Sequence, residues 1–160
     1  MHPKYLFTVA VLLFIVAGVV MLANRESSHS DASADIAARE ALDRGPRRVV
    51  LFCFHTRQRC FDCVALEEGA REALAEGFAA EMEAGRLQWQ TVDRTRPENA
   101  HFATRYQLTH NGLIVDEVGA GERHQEPRVL TEAWDFTHDK DRLKEYVQEN
   151  VRAMLDRLDG

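Results

Sequence analysis

A short run of bulky apolar residues followed by two closely spaced cysteines places the strongest constraint on the fold of this chain. Residues 49–54 read Val-Val-Leu-Phe-Cys-Phe, and a short run that is apolar at both alternate positions predicts a strand buried on both faces. A polar connector, residues 55–59, follows, and Cys60 and Cys63 then form a C-x-x-C pair where a helical pattern begins. The sequence therefore predicts a strand, a short loop and a helix whose first turn carries both cysteines.

The helix after the connector is predicted from a regular apolar spacing. Its apolar positions recur every fourth residue, with one alanine beside them: Leu66, Ala70, Ala73, Leu74, Phe78 and Met82. This spacing is typical of an amphipathic helix that packs one face on a core.

The position of the cysteines on this helix predicts their chemistry. The free N–H groups and the positive dipole end of a helix N-terminus stabilise a thiolate, so we expect Cys60 to be the nucleophile. Cys63, three residues later, would attack a mixed disulfide at Cys60 and is the expected resolving thiol. A C-x-x-C pair also occurs in zinc sites, but its place between a strand and a helix favours redox use.

Three neighbours are candidates for tuning the ionisation of the pair. His55, at the end of the predicted strand, either sets the proton affinity of the thiol or only hydrogen-bonds to the loop backbone. The positive charge of Arg59 favours a nearby thiolate, whereas Asp62 between the cysteines would raise the thiol pKa and make the pair more reducing. Cys53, inside the apolar strand, is expected to act as a small buried hydrophobic residue.

The N-terminal residues predict a membrane anchor. Residues 5–23 contain no charged side chain, and as a helix they would span roughly 28 Å, close to the thickness of a bilayer core. A cleaved signal peptide is the alternative, but its apolar region is usually shorter, about 7–15 residues. We therefore expect a transmembrane anchor at 1–24, a juxtamembrane linker at 25–44 and one domain at 45–160. A short N-terminal tail before a larger domain predicts a single-pass inner-membrane protein with a periplasmic domain.

The rest of the domain predicts further strands and helices. Residues 87–92 alternate apolar with polar residues as a strand does, and residues 113–115 predict a third strand. A turn at 119–121 would lead to a fourth strand ending near Leu130, so that the last two strands form a hairpin. A short helix is expected from Pro97, with Ala100, Phe102, Ala103 and Tyr106 as its apolar positions.

The final helix is predicted from about Asp139, because Asp139 and Asp141 suit a helix N-terminus. Its apolar face consists of Leu143, Tyr146, Val147, Val151, Met154, Leu155 and Leu158. The complete order is β-α-β-α-β-β-α, which predicts an α/β domain with a central mixed sheet and flanking helices. With 45% hydrophobic residues and a net charge of −6, the chain is globular in composition and gives no indication of nucleic-acid binding.

This order of elements, with C-x-x-C on the first helix turn, resembles the thioredoxin fold without its extra N-terminal strand and helix, over residues 47–158. Within that superfamily, residues 54–67, Phe-His-Thr-Arg-Gln-Arg-Cys-Phe-Asp-Cys-Val-Ala-Leu-Glu, are similar to the small bacterial family named as a nitrophenyl-compound nitroreductase subunit. Residues 130–136, Leu-Thr-Glu-Ala-Trp-Asp-Phe, also fit its pattern. The resemblance implies a thioredoxin-like fold.

The chain departs from thioredoxins just before the third strand, where they carry a cis-proline that faces the cysteine pair. Here residues 108–112 read Leu-Thr-His-Asn-Gly, and the four prolines of the chain lie elsewhere. The resemblance implies that Thr109, His110 and Asn111 form a loop facing the thiols and the substrate. It also leaves a second interpretation open, in which Cys60, Cys63 and His110 bind a zinc or copper ion.

Two functions therefore follow from the sequence. The first is a membrane-anchored thioredoxin-like thiol-disulfide oxidoreductase that needs no cofactor and acts on a protein thiol or disulfide. The second is a thioredoxin-like module that binds a metal or docks a partner without turnover. Trp134 either lines a partner-binding surface or, as is more common for an aromatic residue before a docking helix, belongs to the core.

Overall fold

Four strands form one mixed sheet in the part of the chain that the computed structural model describes, residues 43–121 and 125–158. In chain order they are β1 (Arg48–His55), β2 (Leu87–Asp93), β3 (Gly112–Val118) and β4 (Arg128–Val129). The spatial order is β2-β1-β3-β4, with β1 parallel to β2 and antiparallel to β3, and β4 antiparallel to β3. The predicted hairpin and mixed sheet are confirmed.

Within the described residues, four α-helices and two short 3₁₀ helices connect and cover these strands. The α-helices are α1 (Phe61–Gly77), α2 (Ala79–Glu83), α3 (Ala100–Tyr106) and α4 (Lys140–Leu158). The 3₁₀ helices, Pro97–Asn99 and Thr131–Phe136, lead into α3 and α4. Apart from the extra short helix α2, the predicted order of elements is observed.

Strand β1 is apolar on both sides because both faces of the sheet are covered. Val49, Leu51 and Cys53 pack in a cluster with residues of α1 and α4. The alternate residues Val50, Phe52 and Phe54 pack on the other face, where the rings of Phe102 and Tyr106 from α3 lie against them. The central strand is thereby fixed from both sides, and its carboxyl end leads directly into the loop before Cys60.

The helix after the cysteines is shorter than its apolar spacing predicts. It ends at Gly77, because Phe78 leaves the helical conformation with φ −144° and turns its ring into the core. At Gly77 the side chain of Gln148 approaches so closely that an added Cβ would lie 2.9 Å from Nε2. The prediction that Met82 continues the buried face is wrong, since Met82 lies on the separate helix α2 and is 37% exposed.

The later elements differ from their predictions in extent. Helix α3 buries Phe102 and Tyr106, but Ala100 and Ala103 are exposed, because this one short helix has only a narrow face on the sheet. Strand β3 is longer than predicted, while β4 has two residues and pairs through Val129 opposite Ile114.

Helix α4 follows its prediction closely. Asp139 accepts a hydrogen bond from the backbone N–H of Arg142 at 3.1 Å, which satisfies a free donor of the first turn. The predicted apolar face is buried or partly buried on the core: Leu143, Tyr146, Val147, Val151, Met154, Leu155 and Leu158.

The predicted anchor at residues 1–24 and nearly all of the linker at 25–44 lie outside the described residues. Among the helices within residues 43–121 and 125–158, none has the length and apolar character needed to cross a membrane.

Candidate functional site

The two cysteines of the C-x-x-C pair lie where the loop after β1 enters α1. Cys60 is the N-cap residue of α1 and Cys63 lies in its first turn, as predicted. Their sulfur atoms form a disulfide, with 5.0 Å between the Cα atoms, a separation ordinary for such a bond. Cys60 is exposed and Cys63 is half-buried. An attacking thiolate therefore reaches the sulfur of Cys60 more easily than that of Cys63.

The sulfur of Cys60 also takes the place of an N-cap oxygen. The backbone N–H of Cys63 donates a hydrogen bond to the Cys60 sulfur at 3.1 Å. This N–H is one of the donors that a helix leaves free at its N-terminus. Because such a donor and the helix dipole both favour negative charge, the position stabilises a thiolate at Cys60.

Arg59 is held by a carboxylate of the helix that carries the cysteines. Glu67 forms ion pairs with Arg59 and, at 2.9 Å, with Arg71. Only 8% of Glu67 is exposed, so this carboxylate is buried between two guanidinium groups. Its negative charge offsets part of the positive charge that Arg59 brings to the cysteine pair.

Asp62, between the cysteines, has a partner from a distant part of the chain. The Nε2 atom of His138, just before α4, lies 3.6 Å from Asp62 Oδ1. Both side chains are well exposed, and ion pairs between exposed groups contribute little to stability. Phe61 beside Asp62 is 80% exposed. The surface around the disulfide is therefore both charged and apolar.

His55 hydrogen-bonds to the loop backbone. Its Nδ1 lies 3.0 Å from the carbonyl oxygen of Thr56, and its own carbonyl oxygen accepts from the N–H of Arg94 at 2.9 Å. Opposite His55 on β2 lies Asp93, whose pKa is lowered chiefly by the hydrogen bonds that it accepts from Thr95. These contacts fit the alternative in which His55 only hydrogen-bonds to the loop backbone. A role for His55 in setting the proton affinity of the thiol stays a prediction.

One residue of the predicted facing loop reaches the cysteine pair. Asn111 Nδ2 lies 3.9 Å from the Cys63 sulfur, and Asn111 Oδ1 accepts a hydrogen bond from Arg94 Nε at 3.1 Å. Thr109 and His110 are exposed, and Thr109 Oγ1 lies 2.8 Å from His110 Nδ1. The structure thus places Asn111 against the disulfide and joins the side chains of Thr109 and His110 to each other.

A groove of about 320 Å³ begins at this loop and runs between β3, β4 and the 3₁₀ helix Thr131–Phe136. Asn111 lines one side of it, and Leu108, Leu130 and Trp134 provide apolar surface. Trp134 is partly buried against the core. It therefore makes the core contact that the sequence favoured and also forms part of the groove wall, while a role in partner binding stays a prediction.

The third cysteine has a very different environment. Cys53 is 3% exposed and packs within β1 against the core, as predicted. Burial, with a smaller contribution from the charge of Glu67, raises the pKa of its thiol to about 12. A thiol of this kind is inert at neutral pH.

Within the described ranges 43–121 and 125–158, no group of three or more His, Cys, Asp or Glu side chains is arranged to hold a metal ion. The zinc or copper site through Cys60, Cys63 and His110 stays a prediction.

Three residues beside the pair were missed by the sequence interpretation. Glu67 lies one helical turn after Cys63, and this spacing is a signal that could have revealed it. Arg94 follows β2, and since parallel strands end at the same edge of a sheet, its nearness to His55 could have been foreseen. His138 follows an irregular segment and has no such signal.

No protein-family model, no curated protein and no solved structure matches this chain.

Proposed function

We propose that this protein is a thioredoxin-like thiol-disulfide oxidoreductase that acts on protein thiols or disulfides through Cys60 and Cys63. The observation that carries the proposal is the Cys60–Cys63 disulfide at the N-terminus of α1, with the first cysteine exposed and the second half-buried. The element order and the mixed sheet around β1 support the thioredoxin-like assignment. The resemblance of residues 54–67 to the nitrophenyl-compound nitroreductase subunit family supports only the proposed fold. We do not propose a nitroreductase activity.

The proposed reaction oxidises a substrate dithiol in two exchange steps. A substrate thiolate attacks the Cys60 sulfur, an S–S bond forms between them, and the Cys60–Cys63 bond breaks with its electron pair on Cys63. The second substrate thiol loses its proton and attacks the substrate sulfur of the mixed disulfide, which releases Cys60 as a thiolate. The substrate loses two electrons as its disulfide forms, and the enzyme gains them as a dithiol. The reverse sequence, with Cys60 attacking a substrate disulfide, reduces the substrate.

The residues around Cys60 favour this exchange physically. The N–H of Cys63 and the end of the α1 dipole stabilise the thiolate form of Cys60. Arg59 adds positive charge, reduced by its ion pair with Glu67. The exposed ring of Phe61 gives a protein substrate an apolar contact beside the reacting sulfur.

Trapping of the mixed disulfide tests the proposal. In the full chain carrying Cys63→Ser, the Cys60 thiolate attacks a substrate disulfide and the enzyme has no second thiol to resolve the mixed disulfide, so adducts that disappear on reduction should accumulate. The matched control is the double variant Cys60→Ser, Cys63→Ser, which should give none. Equal amounts of adduct in both variants, or none in either, would reject the exchange mechanism.

The metal-binding interpretation is separated by a second measurement on the same protein. The reduced full chain should bind zinc or copper no more tightly than the Cys60→Ser, Cys63→Ser variant. A stoichiometric ion in the reduced chain that is lost in His110→Ala would instead favour a thiolate and imidazole site.

The proposed location is the periplasmic side of the inner membrane, with residues 1–24 as a single-pass anchor. A reporter enzyme that is active only in the periplasm, fused after Gly160, should be active and remain in the membrane fraction. Activity of a cytosolic reporter at the same position would reverse the orientation, and a mature N-terminus near Asp35 would replace the anchor by a cleaved signal.

A further inference from the structure

Among the described residues, one hydrogen-bond donor lies against each sulfur of the disulfide, and the two donors come from different parts of the fold. The N–H of Cys63 lies 3.1 Å from the Cys60 sulfur. The Nδ2 atom of Asn111, just before β3, lies 3.9 Å from the Cys63 sulfur. This second contact is long while the sulfur is uncharged in the disulfide, but a thiolate is a much stronger acceptor.

The orientation of the Asn111 amide is fixed by an arginine. Arg94 Nε donates to Asn111 Oδ1 at 3.1 Å, and because a guanidinium group only donates, the oxygen of the amide must face Arg94. The NH₂ end therefore points to Cys63. Arg94 is itself held at the end of β2, where its N–H donates to the His55 carbonyl and its Nη2 lies 3.4 Å from the Thr109 carbonyl.

We propose that Asn111 is a catalytic residue that stabilises the Cys63 thiolate when the disulfide opens, and that Arg94 is the residue that positions Asn111. The inference rests on the proposed function, since it assigns a role within the exchange at Cys60. It gives the loop before β3 a function in the redox step that needs no proline.

The role follows from the direction in which electrons move. A substrate thiolate attacks exposed Cys60, the new bond forms at that sulfur, and the electron pair of the broken S–S bond goes to Cys63. A leaving thiolate departs faster when its negative charge is stabilised. Asn111 donates to this developing charge without taking up or releasing a proton, and a half-buried position makes such a donor more effective than water.

The most direct test measures the Cys63 thiolate alone. In the full chain carrying Cys60→Ser, the thiolate fraction of Cys63 at a fixed pH below its pKa is followed by alkylation. Adding Asn111→Ala should lower that fraction roughly tenfold to a hundredfold, the range expected for loss of one hydrogen bond to a charged group. Asn111→Asp, with the same shape but a carboxylate in place of the donor, should lower it further.

The companion measurement separates a direct contact from a general disturbance of the site. In the full chain carrying Cys63→Ser, Asn111→Ala should leave the alkylation rate of Cys60 unchanged within about twofold, because the donor to that sulfur is a backbone group of α1. Opening of the wild-type disulfide by glutathione should slow severalfold in Asn111→Ala, since Cys63 is the leaving group.

The role of Arg94 is tested by a double-mutant cycle. Arg94→Ala should lower the Cys63 thiolate fraction in the presence of Asn111 and have little further effect once Asn111 is alanine. Arg94→Lys should restore part of the effect. The matched control is Arg96→Ala, because Arg96 is exposed and pairs with Asp93 and Glu98.

Each outcome decides the proposal. Asn111→Ala and Asn111→Asp proteins that fold but leave the Cys63 thiolate fraction unchanged would overturn it, as would equal effects on Cys60 and Cys63. If the wild-type chain opens and closes its disulfide with glutathione, but the Asn111 variants keep the wild-type Cys63 thiolate fraction, only the proposed role of Asn111 is wrong. If the wild-type chain does not exchange at all, the proposed function itself fails.

Discussion

Cys53 and Cys60 belong to consecutive parts of the chain but have opposite surroundings. Cys53 is 3% exposed inside β1, and burial raises the pKa of its thiol to about 12. Cys60 is exposed at the N-terminus of α1, where an N–H group donates to its sulfur. The same side chain is thus buried and inert in a strand interior, and exposed beside a hydrogen-bond donor a few residues later. Placement rather than residue type decides the chemistry of a thiol.

The largest expected effect is the difference in exchange rate between a variant that lacks the exposed Cys60 and a variant that lacks the buried Cys53. Cys60→Ser should abolish the cycle of disulfide opening and closing with glutathione, because it removes both the disulfide and the exposed sulfur that accepts the first attack. Cys53→Ala should retain exchange at a rate close to wild type and lose only some stability, since a buried thiol contributes packing. Quenched-flow measurement of disulfide opening by glutathione compares Cys53→Ala with the wild type, and Cys60→Ser, which has no disulfide to open, is the negative control. Loss of exchange in Cys53→Ala would break the contrast between the two cysteines.

The pH dependence of stability should reveal Cys53. Its pKa is raised from 9.0 to about 12 in the folded domain, so over that interval the unfolded chain releases a proton that the folded domain keeps. The free energy of unfolding should therefore fall as pH rises, by at most ~1.4 kcal/mol per pH unit from this thiol.

Subtracting the profile of Cys53→Ala isolates this contribution from other groups that titrate at high pH, such as Tyr106, whose pKa is also raised by burial. Denaturant unfolding of both proteins at a series of pH values between 8 and 11 provides the two profiles. Identical profiles for the two proteins would show that Cys53 is not buried as described.

Glu67 acts on both thiols and provides a finer test. Its charge raises the pKa of Cys53 and offsets Arg59 beside Cys60. Glu67→Gln should therefore increase the thiolate fraction of Cys60 roughly twofold to fivefold, measured by alkylation at neutral pH in the Cys63→Ser background. The matched control is Glu68→Gln, an exposed carboxylate of the same helix. An equal response to both substitutions would assign the effect to net charge alone.

The smallest expected effect is at Asp62. Asp62→Asn removes a half-exposed carboxylate between the cysteines and should make the pair less reducing, with an equilibrium constant changed roughly twofold, because solvent screens exposed charges. Equilibration with glutathione measures it, and His138→Ala should have the opposite sign, since it removes the partner of that carboxylate. A more reducing pair in Asp62→Asn would contradict the assumed sign of the effect.

The fold could be predicted wherever a local pattern and the packing agreed. The apolar run of β1 and the face of α4 were read correctly, because each depends on burial of its own side chains. The end of α1 could not be read from spacing, since Phe78 continues the apolar period while its backbone leaves the helix where Gln148 from α4 crosses Gly77. That contact joins distant parts of the chain and has no local signal.

The residues of the site also separate into those that a local sequence pattern predicts and those that it does not. The cysteines could be located from their place between a strand and a helix, and the loop at 109–111 only through the resemblance to thioredoxins. The side chain that reaches the sulfur, Asn111, is hydrogen-bonded to Arg94, which comes from the end of β2. A sequence pattern within one segment cannot predict contacts that form between two distant segments.

A redox titration of the full chain, with the alkylation state of each cysteine read by mass spectrometry, tests the central claim most directly. Cys60 and Cys63 should change together in one two-electron transition, while Cys53 stays reduced and unlabelled until the protein is unfolded. Partial oxidation of Cys53 together with either partner, or a Cys60–Cys63 pair that does not re-form its disulfide, would contradict the account.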